Sequence, residues 1–594
     1  MVDRIALEVV RGALYSIARE MKIAMMRTAA SPIIHSGGDA SAAIFDANMQ
    51  LVAQGNDIPT MMGSAVISTR VSVTAIGVDN LKPGDVIISN DAYLGGGNHQ
   101  PDVQFTRPVF FGDKIVAYTM TRGHWQDIGG MTPNSGTLAT WDIFGEGLRI
   151  PPVLLYRKDE IDQDLLTLII HNTRDAGNRQ LDIQAQYAGT YVGERRLLEL
   201  FEKYGVSQVE EFMQITLDHS EQLMRKAIEQ IPDGVYEGSD YAETVSGATG
   251  HGEPVPIKAK ITINGDQATF DYTGSGPQVR GGVNCPYSVT CNSTWYVMKA
   301  ICGPEIPINQ GCYRPIEIIA PKGTIVNCSY PASVVGGNTA TSQRVIDMLL
   351  VALSKAIPTR VVAQSHATAG SCYFGGDDPD EDRCRSLRRT YVAAGDLNPG
   401  GMGARPDKDG INGIRVHVGN AGTQSIEVLE RNAPVTVGEW RILSDTGGAG
   451  RWRGGCTAQR IYSVGYKEAI FNVGSERGLH PPQGLFGGKE GALYECVIQR
   501  SDGTEQKIPP KGQPNVVYKN DVVSIHSAGA GGYGDPLERP PELVMADVLD
   551  GYVSEEAAKR DYGVVLQPGG SAIDGSSTMA LRQKMQTEYG GRAE

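Results

Sequence analysis

The sequence predicts an α+β protein built from large, β-rich, interlocked lobes with an N-terminal helix and helical insertions. Three observations carry that expectation. Short apolar runs alternate with polar residues over much of the chain, 73 Gly and 32 Pro punctuate them, and only a few segments repeat with the 3.6-residue period of a helix. At 594 residues the chain also exceeds the size at which a single hydrophobic core stops growing, so two to four lobes are expected.

The opening segment, MVDRIALEVVRGALYSIAREMKIAMMRTAAS, reads as a helix capped by Asp3, with Ile5, Val9, Leu14, Ile17 and Met21 as its apolar stripe. Its charges, among them Arg4, Glu8 and Arg11, interrupt the apolar centre that a signal peptide needs. SAAIFD, LVAQ, DVIISND and KIVAYTM then read as strands between tight turns. From about Asp162 to Ile231 the spacing is helical again, and Pro232-Asp233-Gly234 stops it. Strand alternation returns from about Gly234 to Ser333, with Asn264-Gly265 as a hairpin signal. TSQRVIDMLLVALSKAI is expected as a buried helix introduced by Thr341, and Gly-rich turns with short strands fill the rest until the last helices. The expected organisation is an N-terminal lobe over 1–233 carrying the candidate site, a mixed α/β lobe over 234–385, and a Gly-rich β lobe with C-terminal helices over 386–594. No repeat of fixed period is visible.

Composition excludes some function classes. A formal charge of −14 and a pI near 5.3, with no Lys/Arg block, argue against nucleic acid. No apolar run reaches membrane-spanning length. Nine Cys without CxxC spacing fit reduced thiols in a cytoplasm better than a zinc ribbon or a disulfide scaffold.

Ten His are few for this length, and two of them lie in Gly-bounded loops beside carboxylates. NDAYLGGGNHQPD places His99 and Asp102 three positions apart, with Pro101 stiffening the turn. TRGHWQDIGG repeats the pattern with His124 and Asp127. One His-x-x-Asp is commonly a local hydrogen bond. Two in glycine-rich loops point to a metal site, and imidazoles mixed with carboxylates suit Zn, Mn or Fe rather than Mg or Ca. Tyr93 and Trp125 nearby are expected to line its pocket.

Other motifs carry less. His171, in HNTRDAGN, is expected to be satisfied locally by Asn172 or Asp175. Arg174 and Arg179 fit either a carboxylate or phosphate clamp or ordinary helix-start positions. GAGGYG (529–534) matches GxGxxG but runs into Asp535-Pro536, so it reads as a turn, and GGAGRWRGG (447–455) lacks a Walker Lys-Ser/Thr and reads as a tight structural loop. Cys285, in GGVNCPYS, is the competing nucleophile, although a buried thiol is the ordinary reading.

The paired loops NDAYLGGGNHQPD and GHWQDIGG resemble those of the hydantoinase B, 5-oxoprolinase and acetone carboxylase family. Further similar segments are RTAASPIIHSGGDASAAIFD, HNTRDAGNRQLDIQAQ, PASVVGGNTATSQRVID and GAGGYGDPLERPPELVMADVLDGYVS. The resemblance implies a metal held by Asp39, His99, Asp102 and His124. Asp127 then orients His124, takes a proton, or itself joins the ligands, so His124 and Asp127 are the expected catalytic pair. It also implies a partner: a hydantoinase A-like subunit that binds ATP and Mg, in a hetero-oligomer that opens a cyclic amide (hydantoin, 5-oxoproline or lactam). The alternatives are ATP-dependent carboxylation of a ketone and a non-catalytic scaffold with a structural metal. In this chain the Pro after Asn-Asp and the Thr before His that the family usually has are absent, so no particular relative's substrate carries over.

Overall fold

The computed structural model describes residues 3–55, 57–245, 252–387, 390–568, 570 and 572–590. Asp3 caps α1 (Arg4–Thr28), its carboxylate accepting from the amides of Ile5 and Ala6. The buried stripe of α1 is Val10, Leu14, Ile17, Ala18, Met21 and Met25. Ile5 and Val9, expected in that stripe, are 80% and 50% exposed. The face that carries Leu14 and Met21 runs back through Val10, and Val9 lies about 100° around the helix from it.

A short α2 (Pro32–His35) leads into β1 (Ala40–Asp46) and β2 (Leu51–Gln54). Then comes α3 (Pro59–Ile76), a helix that the sequence does not announce. It is rich in Ser, Thr and Val, which favour other conformations, and it is buried on nearly every side, so no amphipathic stripe marks it. β3 (Val86–Ser89), β4 (Asp102–Phe111), β5 (Lys114–His124), β6 (Val153–Arg157) and β7 (Glu160–Ile161) complete a seven-stranded antiparallel sheet in the order β2-β1-β5-β4-β3-β6-β7. The helical region follows as α4 (Gln163–His171), α5 (Ala176–Tyr204) and α6 (Val206–Ile228). Both faces of the sheet are covered. Ala42 and Ile44 of β1 pack with Leu14, Leu197 and Phe201, while Ala43 and Phe45 enter the core with Met62 and Ala65 of α3. Burial on both sides is why residues 42–45 of β1 are apolar in succession rather than alternating with polar residues.

β8 (Gly234–Ala242), β9 (Val255–Asn264), β10 (Gln267–Asp271), α7 (Tyr287–Cys302) and β11 (Ile316–Ile319) follow, giving a second sheet in the order β11-β10-β9-β8. Asn264 pairs with Gln267, so the turn falls on Gly265-Asp266, one residue after the expected pair, with Gly265 at φ 58°. α7, again unannounced, meets α3 closely: a Cβ on Gly63 would lie 1.9 Å from Asn292 Oδ1. α8 (Ser342–Leu353) is the expected buried helix, but Thr341 does not cap it. A π-helical turn (Gly337–Thr341) precedes α8, and the Thr341 hydroxyl donates to the carbonyl of Val283 instead. Phe45, Met62, Tyr272, Val297 and Leu349 belong to one core, so the first sheet, α3, α7, α8 and the second sheet are packed together.

The remaining strands are β12 (Ser371–Asp377), β13 (Tyr391–Leu397), β14 (Val435–Ile442), β15 (Ala458–Val464), β16 (Glu468–Gly474), β17 (Glu495–Gln499), β18 (Glu505–Lys507), β19 (Asn515–Tyr518) and β20 (Val522–His526). They form two sheets, β13-β12-β16-β19 and β14-β15-β20-β17-β18, around a core with Phe374, Tyr462, Phe471, Ile498 and Val523. The two glycine-rich motifs pair with each other: Trp452 and Tyr533 exchange backbone hydrogen bonds, and Gly448 N–H donates to Ala530. A Cβ on Gly454 would lie 2.0 Å from the Ala530 carbonyl oxygen, so the glycines serve close backbone packing. All nine cysteines are free. Among the described residues no helix is long and apolar enough to cross a membrane.

A buried ionic cluster ties α8 to β8 and to segments of the C-terminal half of the chain. The Arg344 guanidinium, fully buried, meets Asp240 of β8, Glu243 and Glu476, and Lys511 also pairs with Glu476. Removing one partner of such a cluster leaves the others uncompensated in a medium that solvates them poorly. Arg344→Met is therefore expected to lower stability by about 3–5 kcal/mol, read as a fall in the urea unfolding midpoint, and an unchanged midpoint would refute that role.

Candidate metal centre

Strand register brings the site together. Asp102 is the first residue of β4 and His124 the last of β5, and the two are directly paired across the ladder, which sets neighbouring side chains on one face. On the other side of β5, Ala40 pairs with Gly123, and the His124 amide donates to the Asp39 carbonyl at 3.0 Å. His99 reaches the same point from the loop before β4, which turns back on itself through Asp102 N–H to His99 C=O.

His99 Nε2 lies 3.1 Å and His124 Nδ1 2.9 Å from Asp102 Oδ1, and the rings are 5.3 Å apart. One nitrogen from each His and one Asp102 oxygen all fall within 4.8 Å of one another, a group that could hold a metal ion. The other Asp102 oxygen accepts from Asn98 Nδ2 at 2.6 Å, and Asn98 also donates to Asn338 Oδ1, which takes a further hydrogen bond from Thr60. Asp39 lines the same cavity with His99, Asp102 and His124, although its carboxylate lies outside the tight group.

The charges are strongly coupled. Burial pushes the Asp102 carboxyl up, but the charge of His99 and hydrogen bonds with both imidazoles outweigh it and hold it well below the usual range. Burial would lower His124, yet its hydrogen bond to Asp102 and the charges of Asp39 and Asp102 raise it. Asp39 is raised by burial, with His124 and Arg415 opposing. A buried carboxylate that favours a proton on the neighbouring His124 can favour a divalent ion in the same place. The donor chemistry therefore fits a transition metal.

Asp127 takes a different place. One of its oxygens accepts from the amides of Gly129 and Arg174, the other from the amide of Asn134 and the Arg174 guanidinium. It pins the loop after β5, and the carboxylate hydrogen-bonded to His124 is Asp102, so orientation of His124 by Asp127 is corrected. Trp125 and Tyr93 do not line the cavity. Trp125 is fully buried, its Nε1 donating to Gln186 and its ring under Arg179, and Tyr93 donates to the Ala332 carbonyl. The aromatic residue on the cavity wall is Tyr373, whose ring lies where a Cβ on Gly136 would approach it to 2.1 Å. Arg174 and Arg179 bind Asp127 and Asp182, so neither is a free clamp. His171 is exposed at the end of α4, while the Asn172 side chain turns to Leu168 and that of Asp175 to Asn178, so the expected local partners serve elsewhere. Cys285 is buried, which pushes its thiol well up, and it donates to Gly337, away from the cavity.

Sequence reasoning missed Asn98, Asn338, Gln343 and Arg415. Asn98 sits beside His99, where a search of the loop for donors would have found it. Arg415 lies in INGIRVHVGN, where nothing local signals a site.

Residues 3–536 match the family model described as Hydantoinase B/oxoprolinase. The chain is 33% identical over 591 residues to caprolactamase subunit beta of Pseudomonas jessenii, covering 98% of this chain and 99% of that one. The crystal structure of the ATP-dependent caprolactamase from Pseudomonas jessenii matches with a TM-score of 0.89 at 33% identity, covering 98% of this chain and all of that one. The nucleotide-free acetone carboxylase structure matches with a TM-score of 0.91 at 19% identity, over 99% of this chain and 83% of that one, a likeness of fold. With His99, Asp102 and His124 converging on one point and its similarity running almost end to end, the chain belongs to the hydantoinase B/oxoprolinase family.

Proposed function

We propose that this chain is the metal-bearing catalytic subunit of an ATP-dependent hydrolase that opens a cyclic amide, such as a hydantoin, 5-oxoproline or a lactam. It acts in a hetero-oligomer with a hydantoinase A-like subunit that binds ATP and Mg. The observation that carries this reading is the group of buried His99 and Asp102 with half-buried His124 on a cavity wall, in a chain similar along its whole length to a caprolactamase subunit. Carboxylation of a ketone has only the likeness of fold behind it. A structural metal in a scaffold would not account for a cavity with unpaired polar groups beside the ligands. The free cysteines suit a reducing cytoplasm.

His99, Asp102 and His124 would hold the ion, with Asp39 as a fourth donor, and Zn, Mn or Fe suits that set. Bound there, the ion supplies Lewis-acid activation of water and of a carbonyl or phosphoryl oxygen. Asn98 fixes the second oxygen of Asp102 and so sets the plane of that carboxylate. The amide itself is a poor electrophile. Phosphorylation of its oxygen from ATP on the partner makes the ring carbon open to water, after which the ring C–N bond breaks and the nitrogen leaves as an amine. A second water then releases phosphate from the acyl phosphate and leaves a carboxylate.

His99→Ala and His124→Ala are each expected to lose bound metal, measured by mass spectrometry, together with turnover of cyclic amides by the reconstituted complex. Metal-free wild type that still turns over would overturn the assignment. Chelation of the wild-type complex should abolish turnover, and readdition of Zn, Mn or Fe should restore it and identify the ion. Asn98→Ala is expected to retain the fold and weaken metal affinity about 10–100-fold, as read in a competition titration against a chelator.

A further inference from the structure

Two side chains of the cavity wall carry hydrogen-bonding groups that the fold leaves unused. Arg415 donates from Nη2 to the Ala369 carbonyl at 2.9 Å, while its Nε and Nη1 are buried without partners. Gln343, the second residue of α8, is fully buried, and neither its Oε1 nor its Nε2 has a partner. Both lie near Ala369. A Cβ built on Gly419 would lie 3.1 Å from the Ala369 methyl and 3.4 Å from Gln343 Nε2, and Ala369 is the residue whose carbonyl Arg415 binds. Arg415, Gln343, Ala369 and Gly419 all line the cavity that holds Asp39, His99, Asp102 and His124.

Buried donors without acceptors are unfavourable, and native folds keep them where a ligand or water completes them. A guanidinium with two unpartnered nitrogens selects planar or tetrahedral oxyanions over neutral groups.

We propose that Arg415 and Gln343 form an oxyanion subsite of the metal cavity, holding the phosphoryl or carboxylate group of the reacting molecule through the free guanidinium N–H groups and the Gln343 amide. The place of this subsite in the reaction rests on the function proposed above, but its existence does not. Phosphate and carboxylate share the recognition chemistry, so both are probed. Metal-loaded wild type is titrated by calorimetry with inorganic phosphate and, separately, with acetate, alongside Arg415→Gln, Arg415→Lys and Gln343→Leu, with metal content and melting temperature measured for each.

The expected result is anion binding by wild type, weakened at least about tenfold in Arg415→Gln, less in Arg415→Lys and Gln343→Leu, with metal content unchanged. Tighter phosphate than acetate would assign the subsite to a phosphorylated substrate, and the reverse order to a carboxylate. Anion binding that is unchanged in Arg415→Gln, or undetectable in wild type, overturns the proposal, as does loss of metal in Arg415→Gln. If the reconstituted wild-type complex opens no cyclic amide, the function proposed above fails, and these titrations still decide the subsite.

Discussion

The antiparallel pairing of β4 with β5 sets Asp102 opposite His124, and the site depends on that register. Side chains alternate across a strand, so a slip of one residue would send Asp102 to the face now held by Val103 and separate it from His124. The register is held along most of both strands and again where β5 pairs with β1. That second ladder is what brings Asp39 to the same end of the sheet.

The same alternation explains a helix that looks unsuited to a core. Two residues before His124, on the same face, Arg122 is paired with Gln104 and fully buried. Its guanidinium donates to the Met61 carbonyl, Ser64, Ser68 and Gln104. Burial lowers its pKa to about 10. The serines of α3 are therefore the acceptors that let an arginine sit under the site, while their hydroxyls also bond back to the preceding turn. The Arg344 cluster meets the same need elsewhere by surrounding one guanidinium with three carboxylates.

Much of the fold is legible from local pattern. α1, α4 to α6 and the strands β1, β2, β3 and β5 follow apolar pattern, because each has one face in a core or is short and apolar over most of its length. α3 and α7 do not, since a helix buried on all sides has no stripe, and their Ser, Thr and Val content argues for strands. The apolar stripe of α1 is legible in period but off in phase at Val9, because only packing against α5 and the sheet selects which of two adjacent positions faces inward.

For the site, the residues His99, Asp102 and His124 could be identified in the sequence by type and spacing, and Asp39 through the family resemblance, because a metal demands particular donor atoms and the loops present them locally. The tertiary structure decided which carboxylate serves which imidazole. Asp102 reaches both rings through its place in the ladder, whereas Asp127, only three residues from His124 in sequence, turns into its own loop. It also decided that Gln343 and Arg415, far from the loops and from each other in the chain, line the same cavity, each with polar atoms that have no partner. Spacing along a chain reports local geometry alone, and contacts between distant elements are set by how their buried faces and charges are satisfied together.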